Sequence, residues 1–240
     1  MNIDASERLI VALDLPTAAE AAKLVSSLDG IVSFFKVGLE LFVSAGPAFV
    51  RELVASGKKV FLDLKFLDID ETVKRATLSV SALGATFLTV HESGKTVAAA
   101  VEGCRGTGLR ILTVTVLTSL DASDLKAMGF SCSVEELVLQ RAKRAIQAGS
   151  HGVVASGQEA AKIRALAKGL GKDLIIVTPG IRPAGADLHD QKRATTPAEA
   201  IAAGSNYLVV GRPINRASDP RDAAKKIVEE MQKAFGAQGS

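Results

Sequence analysis

The sequence predicts an α/β protein, a (β/α)8 barrel of one domain over residues 1–240, from three observations. Eight short runs rich in Val, Ile, Leu, Phe and Thr recur along the chain. Each is followed by a stretch of helical periodicity rich in Ala, Glu and Lys, and the runs themselves are almost continuously apolar rather than alternating. A continuous apolar run is a strand buried on both faces, and a helix between consecutive strands is a crossover, so the sheet is parallel. Eight such units close a barrel; the doubly wound open sheet is the other arrangement that the same alternation permits.

In chain order the runs are Leu9 to Leu13, Phe34 to Val37, Val60 to Leu64, Phe87 to Val90, Ile111 to Leu117, Gly152 to Ala155, Leu174 to Val177, and Tyr207 to Val210. The helices between them carry start signals. Thr17-x-x-Glu20, Ser133-x-x-Glu136 and Thr196-x-x-Glu199 have the spacing of capping boxes, the last with Pro197 at the first helical position. Asp219-Pro220 repeats the cap-then-proline pattern before the final helix. No Pro-, Gly- or Ser-rich linker divides the chain, and Gly236 to Ser240 reads as a frayed tail. With nine Phe, one Tyr and no Trp, the core is expected to be filled by aliphatic and β-branched side chains.

Composition removes several classes of function. The net charge of +3 comes from 29 basic and 26 acidic residues spread along the chain, with no basic run of the kind that nucleic-acid binding needs. Cys104 and Cys132 stand apart without Cys-x-x-Cys spacing, so neither a disulfide framework nor a zinc site is expected, and a reducing cytoplasm is. Asp4, Glu7 and Asp14 give the N-terminus the wrong layout for a signal peptide. The longest uncharged stretch, Ala76 to Val90, has 15 residues. A membrane span would need about 18.

In a barrel the site lies at the carboxyl ends of the strands, so polar residues that end apolar runs are the candidates: Asp14, Lys36, Asp63, Lys65, His91, Thr118, Ser156, Arg182 and Arg212. Asp, Ser or Thr at such a position can equally cap the following helix. Phe61-Leu-Asp-Leu-Lys-Phe-Leu-Asp68 says more, because Asp63 and Lys65 are two apart on a strand and project from one face. With Lys36 and Asp68 they place four charges at one mouth, either as a buried ion-pair cluster or as chemistry. At the far end, Gly211 and Arg212 suit close approach and bidentate grip of an anion, and Arg182 in Thr178-Pro-Gly-Ile-Arg182 supplies a second guanidinium. Barrels often bind phosphate with the loops after strands seven and eight. His91 is left without a role. Ser156 and His151 lack a Gly-x-Ser-x-Gly context, which argues against a serine nucleophile.

The segment Phe61-Leu-Asp-Leu-Lys-Phe-Leu-Asp-Ile-Asp-Glu-Thr-Val73 resembles the Asp-x-Lys-x-x-Asp-Ile-x-x-Thr signature of the orotidine 5′-phosphate decarboxylase family. Val11-Ala-Leu-Asp14, Phe35-Lys-Val-Gly38, Thr115-Val-Leu-Thr118, Thr178-Pro-Gly-Ile-Arg182 and Val210-Gly-Arg212 follow in family order, so the resemblance covers essentially the whole chain. It implies a barrel that converts orotidine 5′-phosphate to uridine 5′-phosphate and CO2 in pyrimidine biosynthesis, with no metal or organic cofactor. It further implies that Asp14 contacts the ribose, that Lys36 and Asp63 position ribose hydroxyls and the reacting carboxylate, and that Lys65 delivers the proton to the ring carbon. Asp68 and Thr72 would come from the neighbouring subunit of a homodimer. Thr118 would lie at the pyrimidine, and Arg182, Gln191, Gly211 and Arg212 would hold the phosphate, Gln191 from a mobile loop within Asp187 to Arg193. The chain departs from the commoner pattern at Leu67, where a His is frequent, and at Asp70-Glu71, where Pro-Asn is frequent. The extra acids favour the start of the next helix through its dipole.

Two other readings are distinguishable. A magnesium-dependent keto sugar phosphate decarboxylase shares the Asp-x-Lys-x-x-Asp motif, but is expected to carry an acidic metal ligand where this chain has Lys36. A noncatalytic nucleotide-binding barrel would keep the fold and the phosphate grip without turnover.

Overall fold

The computed structural model describes residues 4–183 and 193–238, with side chains through residue 237. Its eight strands are β1 (Leu9–Ala12), β2 (Phe34–Gly38), β3 (Lys59–Phe66), β4 (Phe87–His91), β5 (Arg110–Val114), β6 (Gly152–Val154), β7 (Ile175–Thr178) and β8 (Tyr207–Val210). All pair in parallel and in chain order, and β1 pairs with β8 from Leu9 opposite Leu208 to Val11 opposite Val210. That last pairing closes the sheet and removes the open doubly wound alternative.

Strand alternation sorts the side chains into two compartments. Outward residues such as Leu9, Val11, Phe35, Val37, Leu62 and Leu88 join the helices in the outer core. Inward residues Ile10, Phe34, Phe61, Phe87, Leu112, Val177 and Val209 fill the barrel, with Tyr207 packed against them. The aliphatic expectation holds for most of the core, but inside the barrel aromatic rings share the space. Phe34 and Phe87 lie 5.2 Å apart between ring centroids, as do Phe87 and Tyr207, while Phe61 meets Phe87 edge-on at 6.0 Å. Burying each contributes roughly 1.5–3 kcal/mol and sets an apolar floor beneath the polar mouth.

The helix starts follow the predicted chemistry closely. Ser133 with Glu136 and Thr196 with Glu199 form complete capping boxes, whereas Thr17 accepts from the Glu20 N–H and directs its own hydroxyl to that side chain. Asp121 and Asp124 form a further box, built without the Ser/Thr and Glu/Gln of the usual pattern. Asp219 accepts from the Asp222 N–H ahead of the helix Pro220–Gln238. That helix runs through most of the segment expected to fray. Asp70 and Glu71 fall in the first turn of the helix Asp70–Ser81, where their charge suits the dipole, and Glu71 pairs with Arg75 at 2.7 Å.

The fifth apolar run is only partly strand. β5 stops at Val114, and Thr115 makes a last bond from its N–H to the Val154 carbonyl. Val116 then turns into a separate apolar cluster with Leu137, Val153 and Ile176. The carbonyls of Val116 and Leu117 are held by the Arg193 guanidinium, which also pairs with Glu159 at 2.7 Å. Both charged side chains are buried, so Arg193 is a structural anchor rather than the exposed loop residue its neighbours suggested.

Candidate active site

A cavity of about 750 Å³ opens above the aromatic floor at the carboxyl ends of the strands. It is lined by Asp14, Lys36, Asp63, Lys65, Thr118, Arg182, Gly211 and Arg212, eight of the residues singled out from the sequence. Asp14 follows β1, Lys36 is on β2, and Asp63 and Lys65 are on β3, so the charged group is assembled by three adjacent strands. Thr118 stands four residues past β5, Arg182 follows β7, and Gly211 and Arg212 follow β8.

The charges alternate in sign. Lys36 Nζ lies 2.8 Å from Asp14 Oδ1 and 3.6 Å from Asp63 Oδ2, and Lys65 Nζ lies 2.9 Å from Asp63 Oδ1. Asp14 sits at the rim with its side chain 53% exposed, while Asp63 is 16% exposed between two ammonium groups. Burial alone would raise the Asp63 pKa. Lys36 and Lys65, with hydrogen bonds from Lys65 and Thr89, outweigh burial and hold the carboxyl below its ordinary value. Asp63 is therefore an anion at neutral pH.

Lys65 reaches this cavity by a route that simple alternation does not describe. It has φ of +51°, the only non-glycine positive φ among the described residues. Such a conformation costs on the order of 1–2 kcal/mol for an L-residue. The strain coincides with an irregularity in which β3 pairs Leu62 with Leu88 and then Phe66 with Val90. Leu64 turns into the outer core, and Asp63 and Lys65 both face the mouth.

Other contributors were not recognised from the sequence. An added Cβ at Gly38 would lie 2.9 Å from Lys36 Nζ and 3.2 Å from Asp14 Oδ1, so this glycine leaves the room that the ion pair occupies. Asn215 lines the cavity and donates from Nδ2 to the Ala12 carbonyl, tying the segment after β8 to β1. Thr89 on β4 is fully buried and hydrogen-bonds with both Lys65 and Asp63. Its signal was a hydroxyl inside an otherwise apolar run.

The other candidates among the described residues, Asp68, Thr72, Ser156 and His91, do not line the cavity. Asp68 and Thr72 are exposed and do not line the cavity of their own chain. Asp68 accepts from the Ile69 N–H at 2.6 Å, next to the exposed apolar side chains of Leu67 and Ile69. Gln191 lies outside the described residues. Ser156 is buried, caps the helix Gly157–Gly169 and donates to the Arg193 carbonyl, which accounts for it structurally. His151 Nδ1 accepts the Ile111 N–H. His91, at the end of β4, is pushed below its ordinary pKa chiefly by burial, with Lys65 and Arg141 adding to the effect and Asp63 opposing it. Cys104 and Cys132 are both free thiols.

Comparison with known proteins agrees with this geometry. Residues 7–227 match the model of the orotidine 5'-phosphate decarboxylase / HUMPS family. An orotidine 5'-phosphate decarboxylase of Afipia carboxidovorans is 55% identical over 225 residues, covering 94% of each chain. That of Nitrobacter winogradskyi is 53% identical over 231 residues, covering 96% of this chain and 95% of its own. Among solved structures, orotidine 5'-phosphate decarboxylase from Lactobacillus acidophilus superposes with a TM-score of 0.81 at 38% identity, covering 94% of this chain and 99% of the other. An uncharacterized conserved protein from Geobacillus kaustophilus gives 0.80 at 34% identity, covering 93% and 99%. A closed barrel, a lysine-aspartate array at the carboxyl ends of its first three strands and near full-length similarity together assign the chain to the orotidine 5'-phosphate decarboxylase / HUMPS family.

Proposed function

We propose that the chain decarboxylates orotidine 5'-phosphate to uridine 5'-phosphate in pyrimidine biosynthesis, without a cofactor. The observation that carries this reading is the alternating row Asp14, Lys36, Asp63 and Lys65 in one cavity that Arg182, Gly211 and Arg212 also line. Departure of CO2 leaves an electron pair on a ring carbon that the ring delocalises poorly, so stabilisation must come from fixed charge. Lys65 supplies a nearby ammonium and then the proton that completes the product. Asp63 keeps that ammonium aimed and, with Lys36, positions ribose hydroxyls and the reacting carboxylate, while Asp14 meets the ribose and Thr118 the pyrimidine. Arg182, Gln191, Gly211 and Arg212 hold the phosphate, and its binding energy offsets the cost of ordering the charged row.

Lys36 also separates this reading from the magnesium-dependent keto sugar phosphate reaction. Its ammonium lies between the carboxylates of Asp14 and Asp63, where a divalent cation would need to sit. The working unit is a homodimer in the cytoplasm, each chain a single barrel domain over 1–240, with Asp68 and Thr72 completing the partner's site. Exposed Leu39, Val43, Leu67, Ile69 and Leu78 support an interface on that side of the barrel. Among the described residues no helix is long and apolar enough to cross a membrane.

The ultraviolet absorbance of orotidine 5'-phosphate incubated with purified protein, with and without EDTA, tests the reading. Chelator-resistant conversion to uridine 5'-phosphate supports it. Loss of conversion with EDTA favours the magnesium reaction. Binding of uridine 5'-phosphate without any turnover favours the noncatalytic barrel.

A further inference from the structure

We propose that Thr89 is a positioning residue of the reaction, its hydroxyl holding Lys65 and Asp63 in their working geometry. The inference rests on the decarboxylase reading of the cavity. Between the pairs Leu62 with Leu88 and Phe66 with Val90, three residues of β3 stand opposite one residue of β4. The three are Asp63, Leu64 and Lys65; the one is Thr89.

Two hydrogen bonds close this mismatch. The Lys65 N–H donates to Thr89 Oγ1 at 3.0 Å, and Thr89 Oγ1 donates to Asp63 Oδ1 at 2.9 Å. Thr89 is fully buried, so no solvent competes for either bond. The first bond engages the backbone of the residue with φ of +51° and holds the point from which the lysine side chain leaves the strand. The second fixes the rotation of the Asp63 carboxylate. Oδ1 thereby receives both the hydroxyl and Lys65 Nζ, while Oδ2 is turned toward Lys36.

The ion pair alone does not impose this arrangement. A lysine has four methylene groups and meets a carboxylate from many directions, whereas a hydroxyl that accepts one hydrogen bond and donates the other couples the two partners in one geometry. Thr89 does not line the cavity, and it acts through Asp63 and Lys65, which do.

The test compares Thr89→Val, which keeps the shape and removes the hydroxyl, with Thr89→Ser, which keeps the hydroxyl. Steady-state turnover of orotidine 5'-phosphate is expected to show kcat for Thr89→Val reduced roughly 10- to 100-fold, with KM within about threefold of the parent, and Thr89→Ser restored to within about threefold. A Thr89→Val kcat equal to that of the parent, or a Thr89→Ser variant as slow as Thr89→Val, overturns the proposal. If Thr89→Val fails to fold, Thr89→Ala replaces it, and equal turnover by the Ala and Ser variants is then the refuting result. A crystal structure of the Val or Ala variant supplies a readout independent of activity. Lys65 is expected to leave positive φ and lose its contact with Asp63; retention of both overturns the positioning role. Failure of the parent protein to turn over orotidine 5'-phosphate removes the decarboxylase reading, and the crystal comparison still decides whether Thr89 positions the pair.

Discussion

Replacing Gly38 by Ala separates the geometry of the charged row from the stability of the barrel. The Gly38 backbone has φ of −92° and ψ of −176°, extended values that alanine adopts without strain. Substitution should therefore leave folding stability unchanged or raise it by about 0.4–1 kcal/mol, through the smaller entropy of the unfolded chain. The new methyl, however, would lie 2.9 Å from Lys36 Nζ. Ordinary carbon contacts begin near ~3.5 Å, so the ammonium must retreat by roughly 0.6 Å. It is held 2.8 Å from Asp14 and 3.6 Å from Asp63, so this retreat disturbs both contacts. With a displacement of about 1 Å costing on the order of 100-fold in rate, the expected loss in kcat/KM is about tenfold, or ~1.4 kcal/mol. Steady-state kinetics and urea midpoints on one preparation measure the two quantities together. Unchanged kcat/KM would show that Lys36 does not depend on this space, and a fall in stability of several kcal/mol would show that Gly38 serves the strand rather than the site.

Three further outcomes follow from the same geometry. Lys65→Ala should abolish product formation while leaving folding and much of the affinity for uridine 5'-phosphate, as read by absorbance and calorimetry; near-normal turnover would remove Lys65 as the proton donor. Arg212→Ala should lower kcat as well as raise KM, because phosphate binding contributes to the transition state; a raised KM with unchanged kcat would contradict this. Asp63→Asn should reduce stability by roughly 1–3 kcal/mol at pH 7, since Lys36 and Lys65 lose the carboxylate between them. The folded-state pKa of Asp63 is depressed, so its stabilisation is complete above the ordinary carboxylate value and is lost as pH falls through the lower, folded value. Urea midpoints of the parent and Asp63→Asn should therefore converge below about pH 4, and a constant difference down to pH 2 would assign the stabilisation to another group.

Sequence periodicity was sufficient to place all eight strands, because a strand buried on both faces must be apolar throughout. Strand count also located the mouth, since polar residues at the ends of apolar runs all point to one end of a parallel barrel. Closure was another matter. It depends on β1 meeting β8 across nearly the whole chain, a pairing with no local signature. The aromatic floor of Phe34, Phe61, Phe87 and Tyr207 was likewise invisible, because its members come from four strands and composition does not say where rings gather.

At the site, residue type and spacing alone identified Lys36, Asp63, Lys65 and Arg212, since lysine and aspartate two residues apart inside an apolar run have few structural reasons to be there. Spacing also placed Asp63 and Lys65 on one face, but only the tertiary structure revealed how they reach it. The irregularity of β3, the positive φ of Lys65 and the hydroxyl of Thr89 bonded to both arise from contacts between neighbouring strands. The same holds for the room left by Gly38. Local sequence determines which groups carry charge; the distances between those charges are set where strands distant in the chain pack together.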